Sequence, residues 1–429
     1  VTARPAGLFV ERATDAPLVW FRIAALGGSA ADPAGLEGLS RHASLLARRG
    51  AGDRDRAAFD DELDGMGASL DLSTSRDAIT LSGLCLARHI DRVIELAADI
   101  LAAPRMEQAE HDRLLRETRA QLDDLRDDDG EVADRHFAHM VAPGSPYART
   151  AMGNEASLSR IDLDRARAVR AAQVVPRNLV IGFAGAIDDD RAAVLADRLV
   201  ARLPDREPPP PPDIPPPRPA SGRRLFLIDK PGRVQSQVRI GHPSPAYATD
   251  DFRALTAAEI IFGGTFSSRL MQEIRVARGW SYGAGCSLGR ARGAHWLTIA
   301  LAPAADVTAR AAGRALEMFE ELVDRGITAD ELDFARSHLL GSMPFFRATA
   351  AQRMRLAVRN RIFGLPAGFQ DQLPDRLRAL DADRVNAAIR AHFRPEGAVT
   401  VVVATAESMA PLLDGGRFGP LETIPHDAY

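Results

Sequence analysis

The sequence predicts an α+β protein of two homologous domains, each an antiparallel sheet layered with helices, joined by a proline-rich linker. Three observations carry this: a length of 429 residues, a proline cluster near the middle, and one order of elements repeated on either side of it. A chain this long exceeds the ~250–300 residues at which a single hydrophobic core stops growing. Ten of the 28 prolines fall within residues 204–219. Such a segment favours polyproline II, joins neither a helix nor a central strand, and acts as a semi-rigid spacer. The domains expected are therefore 1–203 and 220–429, with 204–219 as linker.

In the first half, Leu18–Ile23 reads as a strand, Gly35–Arg49 and Ala57–Met66 as helices, Ser69–Ser73 and Ala78–Leu84 as a strand pair, and Asp91–Leu101 as a helix. The second half repeats this with a strand at Ser236–Ile240, helices at Asp250–Phe262 and Ser268–Arg278, strands at Ser281–Leu288 and Trp296–Leu301, and a helix at Val307–Arg325. Arg22 matches Arg239 and Ile79 matches Trp296 at the same separation, 217 residues, which points to a tandem duplication. Each half closes on an apolar strand, Asn178–Phe183 and Gly397–Val403. Hairpins mixed with long helices argue against a doubly wound parallel sheet.

Composition removes several classes of function. With 46% hydrophobic and 26% charged residues the chain is ordinary globular material, neither disordered nor membrane-embedded. Basic and acidic residues nearly cancel, 54 against 58, which leaves too little positive field to recruit nucleic acid. Lys230 is the one lysine among the basic residues, a usage that reads as codon bias. Cys85 and Cys286 are too few for a disulfide framework, a Cys-ligated zinc finger or an iron–sulfur cluster; one bridge and two free thiols fit equally well. No apolar run reaches the ~18–20 residues of a membrane span. The chain starts at Val1 without the charged and apolar regions of a leader, so a removed leader and a trimmed start both fit; we expect the periplasm, with the cytoplasm as the alternative.

The segment Gly263-Gly-Thr-Phe-Ser-Ser-Arg-Leu-Met-Gln-Glu-Ile-Arg-Val-Ala-Arg-Gly-Trp-Ser-Tyr-Gly283 resembles the C-terminal-domain signature of the insulinase and pitrilysin-type zinc peptidases, which include the mitochondrial processing peptidase and short bacterial relatives. Gly144-Ser-Pro-Tyr-Ala-Arg-Thr150 with Met152-Gly153 is similar to that family's Pro-Tyr loop. Physically, Gly263-Gly264 can adopt backbone angles denied to other residues and end one helix, Ser267 or Ser268 can cap the next, and Gly279 stops it. Arg275 then lies in a last turn and Tyr282 at a strand start. The resemblance implies that this pair reaches across a chamber to the substrate carbonyl near zinc. Both are suitable donors to an oxygen whose negative charge grows in the transition state. Read alone, they also fit an arginine complementing a helix dipole and a tyrosine packed at a strand edge.

The family's zinc motif, His-x-x-Glu-His, puts two imidazoles one turn apart with a general base between them. The corresponding positions here are Arg41, Ser44 and Leu45. A permanent cation and a leucine cannot ligate zinc, and a serine hydroxyl is too weakly basic to replace the glutamate. His42 is out of register. The third ligand implied by the resemblance is a glutamate about 75–80 residues downstream, and there is none between Glu117 and Glu131. His136 and His139, with Glu131 nearby, are the remaining metal candidates; residues on an amphipathic helix are the commoner outcome, and no metal is assigned to this chain.

The resemblance thus implies the zinc-free subunit of a heteromeric metallopeptidase, inactive alone. Zinc is expected in a homologous partner subunit carrying His-x-x-Glu-His, and peptides are the substrates. It also aligns Asp71, Leu72 and Ser73 with the edge strand on which the family lays extended peptides, where backbone pairing recognises any unfolded segment. A half-buried strand of no special role fits those residues as well. The alternative function is a non-catalytic assembly or peptide-binding scaffold of the same fold.

Overall fold

The computed structural model describes residues 5–218, 220–414 and 416–428. Pro219, the last residue of the expected linker, lies outside the described residues. The chain forms two compact units, each discontinuous in sequence. The first gathers residues up to Leu122 with Thr150–Asp213 and Met343–Ala367; the second gathers Asp123–Arg149, Ile214–Ser342 and residues from Gly368 onward. The boundaries expected at 1–203, 204–219 and 220–429 follow the sequence repeat, whereas these units follow packing and place one helical segment of each half with the other.

In the first unit β1 (Gly7–Arg12), β2 (Leu18–Leu26), β3 (Ser69–Thr74), β4 (Ala78–Leu86) and β5 (Leu179–Gly185) form one sheet in the order β1-β5-β2-β4-β3. Pairing is antiparallel except between β1 and β5, which run parallel. Period-two alternation feeds both faces. Val19, Phe21, Ile23, Leu179, Ile181 and Phe183 point into one core, while Ala24, Val180 and Ala184 meet Met354 and Val358 of the helix Ala350–Ile362 on the other. Every residue of β5 is buried, which explains the unbroken apolar run seen in the sequence. Around this sheet lie α1 (Leu39–Ala47), α2 (Arg56–Gly65), α3 (Ile90–Ala102) and most of α4 (Gln108–Asp127).

α1 starts at Leu39, four residues later than periodicity suggests. The buried Asp32 carboxylate accepts from the backbone N–H groups of Gly38 (3.1 Å) and Ser40 (2.9 Å), fixing the first turn there.

The second unit repeats the design. Its strands are β6 (Arg224–Asp229), β7 (Gln237–Ser244), β8 (Ser281–Leu288), β9 (His295–Pro303), β10 (Val399–Ala404) and β11 (Leu421–Pro425), ordered β11-β6-β10-β7-β9-β8. Removing β11 leaves the order of the first sheet, and β6 and β9 sit 217 residues after β1 and β4. The duplication is structural. As in the first sheet, the antiparallel centre acquires parallel partners, β6 with β10 and β11 with β6. The helix α5 (Asp129–Val141) packs over β10 and β7. Lys230 is buried and anchors that segment, donating to Asp129 (2.5 Å) and to the Arg126 carbonyl (2.6 Å), and Arg239 pairs with Asp134 at 2.5 Å. The single lysine therefore has a structural partner, which codon usage does not express.

Three buried histidines make stability depend on acid. Burial pushes His42 down to about 3, and His136 and His242 down to about 4. They stay neutral in the fold, whereas in the unfolded chain each takes up a proton near its ordinary value of about 6.5. Below that pH the unfolded state binds more protons, so stability is full above about pH 6.5 and falls as pH drops toward 4. Urea midpoints should decrease between pH 7.5 and 5, and His242→Asn should flatten the slope. Equal midpoints across that range would contradict the assignment.

Candidate functional site

In the second unit the helix carrying Arg275 is wound in wide turns over Met271–Ala277, and the Arg278 N–H reaches back five residues to the Glu273 carbonyl at 3.2 Å. Gly279, left-handed at φ +63°, ends it, and β8 starts two residues later. This corner brings together the residues the sequence singled out. The Arg275 guanidinium carbon lies 4.6 Å from the Tyr282 ring centroid and 5.1 Å from that of Phe266. Cation–π contact with two rings holds the fork in place. Tyr282 is 81% exposed, and among the described residues neither side chain spends a donor on a hydrogen bond or ion pair. Phe266, 61% exposed, was not anticipated; its place in the turn after Gly264 was the available signal.

Two details of the expected corner differ. Gly263 is needed for space rather than for unusual backbone angles: a Cβ there would stand 2.3 Å from the Cys286 backbone nitrogen on β8. Neither Ser267 nor Ser268 caps the helix. The Ser267 hydroxyl meets Thr265 at 3.3 Å, and the Ser268 hydroxyl is buried without a partner among the described residues.

In the first unit, α1 turns Leu39, Ala43 and Leu46 into a core with Leu114 and Leu122 of α4. Arg41, Leu45 and Arg48 line a cleft of about 420 Å³ between α1, α4 and β3, with Leu45 also touching that core. Arg41 donates to Gln121 Oε1 at 3.1 Å. Gln121 stands 76 positions after Leu45, inside the window in which a third zinc ligand was sought. Arg41, Leu45 and Gln121 thus line one cleft as arginine, leucine and glutamine. Ser44 is turned away from them, donating to the Ser40 carbonyl at 2.6 Å and meeting Thr74 at 3.2 Å. Such a donor set does not fit zinc, and among the described residues no three His, Cys, Asp or Glu stand close enough to hold a metal, the pair His136 and His139 included.

The remaining expected site residues lie on β3, the free edge of the first sheet. Asp71 and Leu72 line the cleft, and Ser73 is exposed. Arg48 Nε donates to the Leu70 carbonyl at 2.8 Å, so that strand's outer carbonyl row faces the cleft. Tyr147 of the Pro-Tyr loop is fully buried and accepts from the Gly293 N–H at 2.9 Å in the second unit, a packing role. Cys85 and Cys286 are buried free thiols; burial pushes Cys85 up to about 12 and raises Cys286 as well. No described helix is long and apolar enough to cross a membrane.

Two duplicated α+β units, one with a cleft lined by Arg41, Leu45 and Gln121 and one with an arginine–tyrosine corner, define a metallopeptidase-like architecture. Residues 11–154 match the family described as Insulinase (Peptidase family M16) and residues 160–339 match the Peptidase M16 inactive domain. The chain belongs to the M16, or insulinase, family. It is 22% identical to the non-peptidase homolog YmxG of Helicobacter pylori over 377 residues, covering 88% of this chain and 86% of that protein. It is 23% identical to an uncharacterized zinc protease of Mycobacterium tuberculosis over 336 residues, 76% of this chain and 75% of that one. Its fold is similar to the crystal structure of a peptidase M16 inactive domain from Pseudomonas fluorescens, with a TM-score of 0.87 at 21% identity over 98% of both chains.

Proposed function

We propose that this chain is the zinc-free subunit of a heteromeric metallopeptidase acting on peptides. A homologous subunit carrying His-x-x-Glu-His holds zinc, and Arg275 and Tyr282 donate hydrogen bonds to the carbonyl oxygen of the bond to be cleaved. The observation that carries this reading is the corner itself: two donors held by stacking and unspent among the described residues, the Tyr282 hydroxyl on an exposed ring and the Arg275 guanidinium half-buried. A pair with no other partner is suited to an oxygen that arrives with the substrate. Asp71, Leu72 and Ser73 on the free edge of β3 would pair with an extended peptide. The periplasm is the compartment proposed for the complex.

A second reading, a peptide-holding subunit without chemistry, draws on the arginine and glutamine at the ligand positions and on the similarity to a protein named a non-peptidase homolog. The test is to purify the chain from the periplasmic fraction of its source cell, record native masses, and assay peptide cleavage. Co-purification with a zinc-containing chain of similar size, cleavage by the pair and none by this chain alone is the expected result. Cleavage by this chain alone, with zinc bound, would refute the assignment.

A further inference from the structure

The cleft beside β3 has an unusual charge pattern. Four arginines line it, and three are neutralised within the unit. Arg48 pairs with Asp60 at 2.7 Å, Arg49 pairs with Glu110 at 3.1 Å and with Glu117, and Arg56 lies 3.8 Å from both Asp60 and Glu110. Arg41 is different. It is half-buried, and among the described residues its single polar partner is the neutral amide oxygen of Gln121. Four of its five N–H donors are left without a protein acceptor. Half-burial without a counter-charge disfavours the cation, and burial accordingly lowers the Arg41 pKa, while its unpaired donors remain open to the cleft. Asp71, the lining carboxylate without an ion pair, is exposed on the strand, where water screens it, and lies beyond ion-pair distance of Arg41.

We infer that Arg41 is the receptor for a carboxylate carried by an extended peptide on the β3 edge. Leu45 and Leu72 supply the apolar walls, and Gln121 holds the guanidinium plane. The fork of Arg41 matches a carboxylate in two parallel hydrogen bonds, the arrangement that makes arginine selective for planar anions. Arg48 already occupies the Leu70 carbonyl, so the peptide pairs from Leu72 onward, next to Arg41 across the cleft. The cleft thereby acquires a preference for acidic segments or chain ends that a bare strand edge lacks. This rests on the reading of β3 as a peptide-docking edge.

The test uses the full chain and three labelled alternating Val/Thr heptapeptides in a fluorescence anisotropy titration: one with a central glutamate and an amidated end, one with glutamine instead, and one with glutamine and a free C-terminal carboxylate. At least one carboxylate peptide is expected to bind about tenfold or more tightly than the neutral one. Whichever it is identifies a side-chain or a terminal carboxylate as the source. The advantage should shrink with salt, disappear in Arg41→Gln, and be retained in part in Arg41→Lys. Equal binding of all three peptides overturns the role of Arg41 while leaving the edge strand as a docking site. Absence of binding overturns both, and neither result touches the roles of Arg275 and Tyr282. Because the preference is measured first on the unmodified chain, a variant that fails to fold does not decide the outcome.

Discussion

Arg275→Ala, in the chain assembled with a zinc-bearing homologue, is expected to lower kcat by about 10²–10³ while KM and zinc content stay at their parent values. The magnitude follows from where the interaction is made. A ground-state carbonyl carries little charge, so losing the donor barely changes substrate binding; the oxygen of the tetrahedral transition state is nearly anionic and loses a charge-assisted bond. Tyr282→Phe is the sharper variant, because the ring remains to stack on Arg275 at 4.6 Å and only the hydroxyl is deleted. A similar fall in kcat assigns the effect to hydrogen bonding, whereas turnover equal to the parent's would remove the pair from the chemistry and leave the scaffold reading. Steady-state kinetics of the complex, with zinc measured by plasma mass spectrometry, separates these outcomes.

The second large effect concerns metal. The triple variant Arg41→His, Leu45→His and Gln121→Glu should take up about one zinc per chain, while the parent and Arg41→His alone take up none. Arg41 and Leu45 lie one turn apart on α1, and Gln121 of α4 already touches Arg41 at 3.1 Å. The two imidazoles and the carboxylate would therefore arrive on one point from two helices held by a shared core of Leu39, Leu46, Leu114 and Leu122. Peptide hydrolysis should not appear with the metal. Ser44 is buried, its hydroxyl is engaged with Ser40, and nothing at that position can accept a proton from water. A folded triple variant that excludes zinc would show that the three positions do not converge as described.

The repeat, the apolar strands and the arginine–tyrosine corner were all legible in the chain because each depends on local or periodic patterning. The same separation that matched Arg22 to Arg239 aligns β4 with β9 in the repeat. The strands β1, β6 and β11 were not read: β1 and β11 are short and only partly buried, β6 is a short, buried apolar run, Leu225–Ile228, and the parallel pairing of all three depends on chain that returns from far away. The role of Gln121 escaped because a search for a glutamate has no reason to stop at an amide. Lys230 escaped for a related reason: a lone lysine acquires meaning only when Asp129 and the Arg126 carbonyl are brought to it.

What the sequence by itself determined is the inventory: an arginine, a leucine and a serine in the helix that the resemblance matches to the zinc motif, and two donors spaced around a helix end. Residue identity decides which atoms can ligate or donate, and no fold can change that. Tertiary structure alone decided where those groups point and what remains unpaired. Arg41 became a half-buried cation facing one neutral amide, and Arg275 and Tyr282 became stacked and unspent, because packing α1 against α4 and the wide-turned helix against β8 fixes distances that no spacing along the chain contains.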